Sequence, residues 1–105
     1  MKPTESQVRE FWEWFEFKLV TEENSIYWLY PNGRYDFRLP EITLNNLDKY
    51  AIPKLVVESI HFSWGNNEIL CWLYIKSKIG KKFQGTSKDF TLALFWAIWE
   101  VIKEK

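Results

Sequence analysis

The apolar positions Val8, Phe11, Trp12, Phe15 and Leu19 recur at three- and four-residue steps and so share one side of a helix turning about 100° per residue. Just upstream, Thr4-Glu5-Ser6-Gln7 has the pattern of a capping box, in which a threonine hydroxyl accepts from a backbone N–H and a glutamine side chain reaches back to the cap. A helix is predicted to start there. From Phe15 to Leu19 apolar and charged residues alternate, so the chain is predicted to become extended near Phe17. Trp14 and Phe17 lie off the helix's apolar side.

Residues 21–25, TEENS, form a polar connection. The aromatic runs IYWLY and RYDFRL then flank Pro31-Asn32-Gly33, where glycine accepts a positive φ at little cost, and either a hairpin or an irregular aromatic loop fits. Thr43 is the predicted N-cap of a second helix with Leu44, Leu47 and Ala51 on one face. Pro53 lacks an N–H and crowds the carbonyl four residues before it, so this helix is predicted to kink or restart before continuing through Leu55 and Val56.

Ile60, Phe62 and Trp64 alternate with His61 and Ser63 as in a half-buried strand, and Gly65-Asn66-Asn67 supplies turn chemistry. Residues 68–75 return with apolar side chains on both faces, the character of a central strand or one lying under helices. A basic turn through Gly80 leads to a short third strand at residues 83–85. Ser87 is the predicted cap of a last helix, with Asp89 near its positive end. There Phe90, Ala93, Leu94, Ala97, Ile98 and Val101 make a core face, while Leu92, Phe95, Trp96, Trp99 and Ile102 fill the remaining circumference. The pattern as a whole predicts an α+β fold in one domain spanning residues 1–105: a small antiparallel sheet of three or more strands with an N-terminal helix, a kinked middle helix and a C-terminal helix, arranged as an α/β/α sandwich.

Composition sharpens one point. Of 105 residues 19% are aromatic, including seven Trp, and five rings fall within residues 11–17. A fully buried ring contributes about 2–3 kcal/mol, so rings left in water forgo that gain and invite association. Trp14, Phe17, Leu92, Phe95, Trp96 and Trp99 are therefore candidate protein-binding residues, covered by the chain itself, by a second copy in a homodimer, or by another protein.

Chemistry is sparse. The formal net charge is zero, which gives no general attraction to nucleic acid or acidic lipid. His61 is the single histidine and Cys71 the single cysteine. Neither has the partners of a catalytic group or of a zinc site, and Cys71 reads as a small buried hydrophobe. No phosphate-binding glycine motif occurs, so the expectation is a protein without enzymatic activity, metal or cofactor. Lys76, Lys78, Lys81, Lys82 and Lys88 form a basic run without an intervening acid. It could grip phosphates with Tyr74 or Phe83 stacking a base; the favoured alternative is a solvated turn guarding a sheet edge. The polar start MKPTESQVRE lacks the apolar run of a secretory signal, and the stretch 92–99 is too short to span a bilayer, so a cytoplasmic location and no membrane partner are expected.

The C-terminal GTSKDFTLALFWAIWEVIKEK, with LPEITLNNLDKYAIPKL and the N-terminal PTESQVREFWEWFEFKLV, resembles small phage and prophage proteins of the phage ABA sandwich type. Thr43 to Leu47, opening the middle helix, and Thr91-Leu92-Ala93-Leu94 with Ala97, opening the last, carry the likeness. The chain departs from that group in having FWAIW where small or polar residues are common. The resemblance implies a helix, a short antiparallel sheet and a closing helix, and a phage origin. It implies no catalytic residue, since the group has no established activity. The expected function is that of a small phage-encoded protein acting in the host cytoplasm by occupying a surface on another protein, with a host defence component such as a CRISPR nuclease as the expected target.

Overall fold

The computed structural model describes residues 2–104. Among these residues the fold is α+β, with three helices and two antiparallel three-stranded sheets, where the sequence pattern pointed to one sheet. The chain forms two compact units: Pro3–Glu41, and a second running from Ile42 that also takes in Lys2.

In the first unit, helix α1 (Glu5–Trp14) starts at the expected capping box: the Gln7 N–H donates to Thr4 Oγ1 at 3.1 Å, and the Thr4 N–H donates to Gln7 Oε1 at 2.9 Å. It ends in a Schellman motif. Glu16 takes a left-handed conformation with φ +72°, the Glu16 N–H donates to the Glu13 carbonyl, and the Phe17 N–H donates to that of Trp12. That motif brings the second residue past the cap back against the last helical turn. Phe17, predicted to face outward, is instead buried against Trp12, their ring centroids 5.1 Å apart. Phe11, Trp12 and Phe15 are buried as the period predicts, and the Trp12 indole N–H donates to the Pro40 carbonyl at 2.9 Å. Leu19 belongs to a strand and not to the helix face. Strands β1 (Lys18–Glu22) and β2 (Ser25–Leu29) form a tight hairpin, so TEENS is mostly strand. Beyond β2, Gly33 at φ +89° turns the chain into the short β3 (Tyr35–Asp36), which resolves the aromatic segment as a hairpin.

The second unit opens with helix α2, made of three contiguous pieces, Leu44–Asn46, Leu47–Ala51 and Ile52–Leu55. Thr43 caps it, its Oγ1 accepting from the Asn46 N–H. The middle piece is π-helical: the Ile52 N–H donates to the Leu47 carbonyl, five residues back. Widening the turn in this way is how the helix takes up Pro53 without continuing an ordinary ladder. It stops at Leu55, and Val56 turns left-handed at φ +52° and is exposed.

Strands β4 (Val57–Gly65), β5 (Glu68–Ile75) and β6 (Phe83–Ser87) follow, in the order β4-β5-β6 with β5 central. Asn66 and Asn67 both have positive φ, +53° and +65°, the two-residue hairpin geometry that asparagine tolerates. Helix α3 (Phe90–Lys103) packs on the face presenting Cys71, Leu73, Phe83 and Gly85, with Ala93, Leu94, Ala97, Ile98 and Val101 buried. Its cap differs from expectation. Ser87 is the last residue of β6, and Asp89 accepts from the Leu92 N–H at 3.1 Å. The Ser87 hydroxyl instead accepts from the Asp89 N–H, positioning the true cap.

Candidate functional site

The six aromatic and aliphatic positions expected to meet a partner divide three ways. Phe17 and Phe95 are interior residues, 1% and 0% exposed, and drop out of any docking surface. Along α3, Phe95 meets Trp96 edge-on at 4.9 Å and stacks on Trp99 at 6.0 Å. Leu92, Trp96 and Trp99 are half-buried, and the Lys103 ammonium stands 4.7 Å from the centre of the Trp99 ring. Only Trp14, 48% exposed with its ring edge-on to Phe15, is open as predicted.

The most exposed ring of the second unit is one that periodicity assigned to a half-buried strand. Trp64, at the end of β4, is 70% exposed, and its ring meets that of Phe90 at 5.6 Å; Phe90, at the start of α3, is itself 40% exposed and leans on Phe62 at 5.2 Å. The pair borders a cavity of about 600 Å³ that also takes in the Asn66-Asn67 turn, Ile69 and Lys88. The available signal was position: Trp64 immediately precedes a turn, where a strand runs out of neighbours to cover its last side chain. In the first unit Tyr35 and Phe37 are also exposed, at 71% and 76%.

The basic run does not gather into one phosphate grip. Lys81 donates to Glu104 at 2.6 Å and lies over Phe83, which is buried and cannot stack a base. That hydrogen bond, foremost, holds the Glu104 carboxyl below its usual range. Lys82 lies over Trp72 at 5.7 Å, on the sheet face away from α3. Lys76 and Lys78 sit on a short 3-10 turn, and Lys88 borders the Trp64 cavity. His61 stacks on Trp72 at 5.4 Å and meets Tyr74 edge-on, its Nε2 3.2 Å from Ser59 Oγ. Among the described residues its contacts are aromatic and hydroxylic, and none is the carboxylate that would orient a base. Cys71 is fully buried, and burial pushes its thiol up to about 11. Among the described residues no group of three or more histidines, cysteines and carboxylates could hold a metal ion. Among the described residues no helix is long and apolar enough to cross a membrane.

Comparison of the chain with protein-family models, with curated proteins and with solved structures finds no match.

Proposed function

We propose that the protein is a small, non-enzymatic binding protein of phage or prophage origin that occupies a surface on a host protein, in the manner of a steric inhibitor of a defence component such as a CRISPR nuclease. The observation that carries the binding role is the Trp64–Phe90 pair, two large rings in contact, both open to solvent, at the mouth of a cavity. Aromatic anchors that desolvate in a complementary groove are the side chains on which interface energy concentrates. The phage origin follows from the resemblance of the helix-opening segments, and the defence target is an inference from the use to which small phage genes of this kind are often put.

The test is affinity capture from a bacterial host lysate, comparing the wild-type chain with Trp64→Asp, both confirmed as folded by circular dichroism. A host protein retained by the wild type and lost with the variant is the expected result. Equal recovery by both, or a sedimentation mass twice that of one chain that falls on the same substitution, would replace the reading, the latter with a self-associating structural protein.

A further inference from the structure

We infer that the protein self-associates through β1, which pairs antiparallel with β1 of a second copy about a two-fold axis at Val20. The contact uses residues of the first unit alone, whereas Trp64 and Phe90 belong to the second, so it goes beyond the binding role proposed above.

Strand β1 is terminal in the order β1-β2-β3. One edge pairs with β2 from Lys18 to Glu22, and no strand among the described residues pairs with the other. Such an edge turns the N–H and C=O of every second residue outward, a template for another strand that native sheets often blunt with a proline or a bulge. Strand β1 has neither: KLVTE contains no proline, and its register with β2 is unbroken over all five residues. Lys18, Leu19, Thr21 and Glu22 are exposed and Val20 is half-buried.

The order of its charges selects a second copy. Strands joined side by side by a two-fold axis keep directly opposed side chains on one face only if the axis stands perpendicular to the sheet and passes a residue position. Centred on Val20, Lys18 of each copy faces Glu22 of the other, Leu19 faces Thr21, and Val20 faces Val20. Opposite charges directly across a strand pair are favourable, and like charges there are not. Moving the axis to Leu19 sets Glu22 against Glu16, and moving it to Thr21 sets Glu22 against Val20, so one register satisfies both ends. The other outer strands lack this self-complementarity. Strand β3 is two residues long, β6 carries no charge, and β4 has Glu58 with no lysine or arginine to meet it.

The side chains suit the same register. Lys18, Val20 and Glu22 share a face with Tyr27 and Leu29 of β2, Val20 lying directly opposite Tyr27. The Tyr27 hydroxyl donates to Glu22 Oε1 at 2.9 Å, which holds the carboxylate and leaves Oε2 to accept from Lys18 of the second copy. Pairing about Val20 makes a row of Tyr27, Val20, Val20 and Tyr27 across four strands, with a lysine–glutamate pair on either side. Val20 thereby gains an apolar neighbour on its open side.

Sedimentation equilibrium of the full chain tests the contact, each variant first confirmed as folded by circular dichroism. The wild type is expected to move from the mass of one chain to that of two as concentration rises. Lys18→Glu and Glu22→Lys each place like charges opposite one another at both ends and should weaken the dimer on the order of tenfold. Mixed in equal amounts, the two variants should recover it, because every pair in the mixed dimer is again lysine against glutamate. Amide exchange supplies a readout without substitution: residues 18–22 of the wild type should slow with rising concentration. A wild type that stays at the mass of one chain, a dimer indifferent to the charge changes, or a mixture no tighter than its components would overturn the proposal. So would a dimer that Trp64→Asp dissociates and the charge changes do not. Capture of a host protein through Trp64 is measured apart from these outcomes, so failure of the edge contact and failure of the binding role are distinguishable.

Discussion

Phe17 folds back onto Trp12, the two ring centroids 5.1 Å apart, although four residues of chain separate them and Phe17 lies off the helix face. The link is Glu16, whose left-handed backbone lets the Phe17 N–H reach the Trp12 carbonyl at 3.1 Å. A residue with a Cβ is strained there by about 1–2 kcal/mol. Glu16→Gly is therefore expected to stabilise the chain by about 0.5–1 kcal/mol, after the added freedom of glycine in the unfolded state is subtracted. Urea unfolding followed by tryptophan fluorescence measures it, and a loss of stability would contradict this account of the turn.

Local pattern made much of the fold legible, and its failures share a cause. The capping box, the Thr43 cap, the break at Pro53 and the central character of β5 all depend on residues adjacent in sequence, and each is found. Phe17 and the Ser87–Asp89 exchange went astray because a left-handed residue or a two-residue shift at an element's end redirects a side chain without changing the hydrophobic pattern. The site was less readable still. Whether Trp64 is covered depends on the end of its strand and on where Phe90 comes to rest, twenty-six residues away in sequence, which no periodicity encodes.

At the start of α3 the roles of Ser87 and Asp89 can be separated by substitution. Asp89→Ala removes the acceptor of the Leu92 N–H and is expected to cost about 0.5–2 kcal/mol, the usual range for a lost N-cap. Ser87→Ala removes only a bond of 3.3 Å to the Asp89 N–H and is expected to cost less. Thermal melts of the two variants rank them; the opposite order would return the cap to Ser87.

The ion pair of Lys81 and Glu104 makes a pH-dependent contribution of known sign. The hydrogen bond from Lys81 holds the Glu104 carboxyl lower in the folded chain than in the unfolded one. Stability from the pair is thus fully present above the ordinary carboxyl value and is lost as pH falls through the lowered folded one. Both side chains are partly exposed, so the contribution is small and screened by salt. Melting temperatures of wild type and Lys81→Ala should differ at about pH 7 and converge toward about pH 2. A gap that widens on acidification would reverse the assignment.

Gly85 is the position where β6 and α3 come closest. A methyl group there would lie 2.7 Å from the Trp96 carbonyl carbon and nearer still to the backbone of Ala93 and Ala97, none of which can rotate away. Gly85→Ala should therefore cost about 1–3 kcal/mol by overpacking, in contrast to Gly65, where nothing stands within 4 Å of an added Cβ. Urea unfolding of the two alanine variants compares them, and equal stabilities would show that the helix can lift from the strand without penalty.

Cys71 offers a local probe of how the second unit opens. It is fully buried on β5, and burial lifts its thiol to about 11, so in the folded chain it is both inaccessible and protonated near neutral pH. Labelling by a thiol reagent should require exposure of the β5 face beneath α3, and its rate should rise from wild type to Gly85→Ala, because the substitution pries at that same packing. With the reagent in excess and reclosure fast, the ratio of the two rates reports the difference in opening free energy. Rapid labelling of the wild type in the absence of denaturant, at a rate the variant does not change, would place Cys71 outside the structure that α3 protects.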